Sequence, residues 1–106
     1  MIPVDLEVLP PWSVLTADRA ELLTARLRTV LPEGHALYRV KLRAVAARID
    51  CDDVLFEIEN SSMRLAVVHM TWRAESDPTW PKTSLFRDWP QWATLDMHPS
   101  HHNFAR

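Results

Sequence analysis

Apolar and polar positions along the chain follow two periods, and the change from one to the other divides it into elements. Val4, Leu6 and Val8 alternate with Asp5 and Glu7, which predicts a short strand ended by Pro10-Pro11. From Asp18 the period becomes 3.6. Ala20, Leu23, Leu27, Val30 and Leu31 share a stripe that Arg19, Arg26 and Arg28 avoid, predicting an amphipathic helix over 18–31. Asp18 with Glu21 resembles a capping box, Thr16 is a competing N-cap, and Leu31-Pro32-Glu33-Gly34 supplies the stop.

Between Tyr38 and Arg73 the composition turns to Val, Ile and Ala with short polar breaks, which reads as three strands in a meander. A two-residue turn at Asp52-Asp53 would set Cys51 against Val54, Ile49 against Phe56, Ala47 against Ile58 and Arg48 against Glu57. A four-residue loop at Asn60 to Met63 would set Ile58 against Leu65, Phe56 against Val67 and Val54 against His69. The core face then holds Ile49, Val54, Phe56, Ile58, Leu65, Val67 and His69. Val40, Leu42 and Ala44 are out of phase with Val45, Ala47 and Ile49, so a β-bulge is expected near Ala44-Val45. The third strand is apolar on both faces, the mark of a strand internal to a sheet, so a fourth is expected beside it, from the N-terminal segment or Thr83 to Phe86. Asp88 is placed to cap a short helix with Pro90 in its first turn and Trp89 and Trp92 on one face. About 97–106 reads as a C-terminal tail. The expected fold is α+β: a four-stranded, mostly antiparallel sheet packed on one amphipathic helix, with a Trp-rich C-terminal segment, in a single domain over 1–106.

Composition narrows the chemistry. Twelve Lys plus Arg against 14 Asp plus Glu give a net charge of −2, which lacks the field of a general nucleic-acid binder. The basic stripe Arg39, Lys41 and Arg43 reads as a solvated edge strand, with an acidic partner or RNA as the competing reading. A single cysteine, Cys51, excludes an internal disulfide, and a single glycine, Gly34, excludes P-loops and dinucleotide-binding loops. No apolar run approaches the length of a membrane span, and no cofactor motif is present, so the chain is expected to be cytoplasmic and cofactor-free.

Three groups of residues carry candidate chemistry. His69, Asp53 and Cys51 fall near one turn and would supply base, orienting carboxylate and nucleophile, but no glycine-containing elbow accompanies them. His69 therefore reads as a structural, core-facing residue whose loss costs stability. His98, His101 and His102 are metal-ligating types on a loose tail, expected to bind zinc or nickel only weakly. Trp72, Trp80, Trp89 and Trp92, with Met70, form either the second half of the core or anchors for a protein partner. A meander with a two-sided strand also has more apolar surface than one helix and a tail cover, which predicts a homodimer through Trp72, Met70 and Val68.

The segments Asp52-Asp53-Val54-Leu55-Phe56, Val67-Val68-His69-Met70-Thr71-Trp72 and Trp80-Pro81-Lys82-Thr83 resemble those of a group of small bacterial proteins of unknown function. The resemblance covers roughly residues 35 to 95 and implies a single-domain bacterial protein, with no catalytic residue to carry over. The leading expectation is a non-enzymatic protein-binding module, of the immunity or antitoxin kind. A small hydrolase-like or metal-dependent enzyme centred on His69 is the alternative, and a nucleic-acid or small-ligand binder using exposed Trp and the basic stripe comes third.

Overall fold

The computed structural model describes residues 2–59 and 61–105. Its elements are β1 (Trp12–Val14), α1 (Ala17–Val30), β2 (Leu42–Arg48), β3 (Asp53–Ile58), β4 (Leu65–His69), β5 (Thr83–Phe86) and α2 (Trp89–Trp92); a π-helical turn (Ala93–Met97) then leads into α3 (His98–Phe104). The sheet is antiparallel throughout, in the order β1-β2-β3-β4-β5. The α+β class and antiparallel meander match expectation, with five strands in place of four. Thr83–Phe86 is the strand that completes β4, and β1 adds the fifth at the far edge.

Thr16, not Asp18, caps α1: its side chain accepts from Arg19 N at 3.3 Å. Leu31 ends the helix in extended conformation because a residue before proline is pushed out of the α region. The inner stripe of Leu23, Leu27 and Val30 packs on Val54, Phe56, Ala66 and Val68. Leu27 and Phe56 have no exposed surface, each worth about 1.5–3 kcal/mol relative to exposure. The other sheet face carries Leu55, Leu65 and Val67 beneath Trp12, Phe86, Trp92 and Met97. The chain thus forms three layers, with α1 on one face and the C-terminal helices on the other. β4 is covered from both sides, as its two-sided pattern predicts.

The bulge lies between Ala44 and Ala46, where expected, but both hairpin registers differ from expectation. Arg48 closes the β2–β3 turn by a bidentate pair with Asp50, 2.8 Å to each oxygen, so four residues separate the strands and Ala47 pairs with Val54. Ile49, placed in the core by the shorter turn, is 68% exposed. Glu57 consequently meets Arg43, at 3.3 Å, rather than Arg48. Between β3 and β4 the register differs by one residue, which turns every side chain to the opposite face. Val54 faces Val68, and His69 lies opposite Asp53 rather than Val54. Core burial of an imidazole is avoided, and the apolar pairs remain complementary. Asn60, the first residue of the expected β3–β4 loop, lies outside the described residues.

Two terminal expectations also change. Val4 is fully exposed, and Leu6, Val8 and Leu9 pack irregularly on the Trp92 side instead of forming a strand. Pro3, Pro10 and Pro11 bring no backbone N–H to either end of the segment, and Leu6 N and Leu9 N donate to Pro3 O and Met97 Sδ instead of to a neighbouring strand. The 97–106 segment is helical over His98–Phe104, continuous with the turn that buries Ala93 and Met97. Asp88 caps α2 as expected, accepting from Gln91 N at 2.9 Å.

Along the outer edge of β2, α1 supplies the missing hydrogen bonds. Thr24 Oγ1 donates to Ala20 O at 2.7 Å and accepts from Ala44 N at 2.9 Å, while Arg28 reaches Leu42 O at 3.5 Å. Replacing Thr24 with Val keeps the volume and strands the buried Ala44 N–H. Urea unfolding should show a loss of about 1–3 kcal/mol for T24V and most of the stability retained by T24S; equal stability of the two would mean that the hydroxyl is dispensable.

Candidate functional site

The loop joining β4 to β5, residues 71–82, crosses to the α1 side and is fastened there at several points. Glu75 N donates to Val30 O at 3.3 Å. Gly34 packs against Pro78, and its φ of +92° is a backbone conformation that only glycine takes without strain. The adjacent His35 is buried. Its Nδ1 accepts from Leu37 N at 3.0 Å, so Nε2 carries the hydrogen and donates to Pro81 O at 2.9 Å. Within the loop, Asp77 Oδ1 accepts from Thr79 N at 2.9 Å and Thr79 Oγ1 at 2.8 Å, forming an Asx turn. The same bonds, the backbone one foremost, hold the Asp77 carboxyl below its ordinary pKa.

This fastened loop displays two indoles. Trp72 is 57% exposed and Trp80 39%. The Arg26 guanidinium sits 5.3 Å from the Trp72 ring and also donates to Trp72 O, and the Lys82 ammonium sits 4.9 Å from the Trp80 ring. Each such contact is worth about 0.5–1 kcal/mol at an exposed site, so the rings are oriented without being buried. Beneath Trp72, a cavity of about 70 Å³ is lined by Arg19, Leu23, Cys51, Asp52 and Met70. That volume is well short of the ~300 Å³ or more of an ordinary small-molecule site.

At the same end of the sheet, on its other face, the register aligns polar side chains across the strands. Arg48 follows Ala47, whose partner is Val54, and so stands beside Asp53; Asp53 pairs with His69, whose backbone N–H donates to Lys82 O. His69 Nδ1 and Asp53 Oδ1 are 2.8 Å apart, with the imidazole 52% exposed. This is the orienting half of a base pair, as the residue types suggested. Cys51 does not complete it. No hydrogen bond joins the thiol to His69 among the described residues, and burial pushes its pKa up, away from the reactive thiolate. Arg48 also donates to Ser100 Oγ at 3.4 Å, and Ser100 to Asp96 at 3.1 Å, tying α3 to the hairpin. Burial pushes the Asp96 carboxyl up, against the pull of the Ser100 bond, while the Arg48 bond holds Asp50 down.

Of the tryptophans selected from sequence, Trp72 and Trp80 face outward and Trp89 is half-buried. Trp92 is fully buried, edge-on to Trp12 at 5.4 Å and to Trp89 at 5.8 Å. Met70 and Val68, expected at a dimer interface, lie in the α1-side core. His98 and His102 are exposed on α3, and His101 Nδ1 donates to Pro10 O at 2.6 Å. The described residues hold no cluster of three metal-ligating side chains, and none of their helices is long and apolar enough to cross a membrane. A wider open groove of about 730 Å³ between α1 and the β1–β2 edge contains none of the catalytic candidates. Sequence reading missed His35 and Arg26. The lone Gly-His step after a proline was the available signal for the first, and nothing local marks the second. Comparison with family models, curated proteins and solved structures gives no match for this chain.

These placements make His35, rather than His69, the histidine on which stability rests. His69→Gln removes a half-exposed pair and should change stability by no more than about 1 kcal/mol. His35→Leu leaves Leu37 N–H and Pro81 O without partners and should cost about 1–3 kcal/mol. Denaturant titration of both variants checks the order.

Proposed function

We propose that the protein is a non-enzymatic protein-binding module whose contact surface is the 71–82 loop, with Trp72 and Trp80 as its anchors. The observation that carries the reading is the pair of exposed indoles on a loop held by His35, Gly34, Val30 and the Asp77 turn. Trp and Arg are the side chains most often found at energetic centres of interfaces, and a loop already in place loses little entropy on docking. A role of the immunity or antitoxin kind, in the cytoplasm, is the sub-class this supports: a small chain acting by surface fit. Trp72→Ala and Trp80→Ala together should weaken binding of the partner recovered from the native host by roughly tenfold or more, with circular dichroism and melting little changed. Undiminished affinity of a folded double variant would refute the reading.

The His69–Asp53 distance of 2.8 Å favours a second reading, a small hydrolase-like activity with His69 as base. Under it, H69Q abolishes turnover of an activated ester such as p-nitrophenyl acetate while the fold is kept. Under the binding reading, the wild-type rate is no more than that of free imidazole at equal concentration.

A further inference from the structure

His98, His101 and His102 stand not on a loose tail but on α3, which packs on the body. Leu9 N contacts Met97 Sδ at 3.5 Å, His101 holds Pro10 O at 2.6 Å, and Ser100 bonds Asp96 and Arg48. At 100° per residue, Met97, Ser100 and His101 share the side of the helix that meets the body, and His98 and His102 lie together on the solvent side. Both rings are exposed, and no hydrogen bond or ion pair engages either among the described residues.

We propose that His98 and His102 are one half of a zinc site that a second copy of this chain completes. Residues four apart on a helix stand about 5–6 Å apart at Cβ, close enough for two imidazoles to converge on one ion with bonds of about 2.0–2.1 Å. A closed zinc site takes four protein ligands, and the absence of any three-ligand cluster among the described residues means that one chain offers two. A twofold axis through the ion supplies the same two from the second copy, since an isologous interface repeats each contact. Leu95, three residues before His98 and 63% exposed, provides apolar surface beside the ion for the copies to share. His101 is the positioning residue: its bond to Pro10 O fixes the roll of the helix.

The site is independent of the tryptophan loop, so the W72A/W80A variant keeps it. Sedimentation equilibrium of the full chain at tens of micromolar should show the monomer mass in EDTA, a doubled mass on adding zinc chloride, and one zinc per two chains by elemental analysis. H98A and H102A should each lose the doubling while circular dichroism stays unchanged. A zinc-loaded monomer, one zinc per chain, or a zinc-dependent dimer that persists in the H98A/H102A double variant would overturn the proposal.

Discussion

A strand buried on both faces needs two separate covers, and in this chain that requirement falls on β4. Leu65, Ala66, Val67 and Val68 are all buried, so one face must meet α1 and the other must meet the C-terminal helices. Neither cover can be dispensed with. α1 brings Leu23, Leu27 and Val30 to one side, and the chain must return after β5 to bring Trp92 and Met97 to the other. The path of the last twenty residues is a consequence of that demand, and the helical C terminus follows from it.

The same constraint selects the register. With Val54 and Phe56 committed to α1, only an alignment that puts Val68 and Ala66 opposite them keeps both layers apolar, and Asp53 and His69 then meet at the wet end of the sheet. The polar line from Arg48 to His69 is thus where the strands run out of core. Catalytic appearance and structural cause coincide here, which is why a 2.8 Å imidazole–carboxylate pair alone does not establish an enzyme.

Helix α1, the bulge, the Asp88 cap and the completing strand at Thr83 were legible because each rests on a local pattern: 3.6 periodicity, a phase break, a capping side chain, an apolar alternation. The β2–β3 register was not, because it hinges on the Arg48–Asp50 closure, which adds two residues to a turn that two aspartates seemed to close by themselves. Helix α3 was hidden for a different reason. His98-Pro99-Ser100-His101-His102 has no apolar stripe, and the segment is helical because Met97 before it is buried and Ser100 and His101 find partners on the body. The sequence groups Trp72 and Trp80 with Trp92, and their separation was beyond its reach, because exposure is decided by layers that meet only in three dimensions.

The division of the tryptophans has an optical consequence. Trp12 and Trp92, with Trp89 against them, sit in the dry layer and should emit at short wavelength, while Trp72 and Trp80 look onto water and should emit to the red. With one tyrosine in the chain, almost all ultraviolet emission comes from these two populations. A neutral collisional quencher would reach one population and spare the other, so events at the loop and unfolding of the core can be followed separately in the native molecule without any added label.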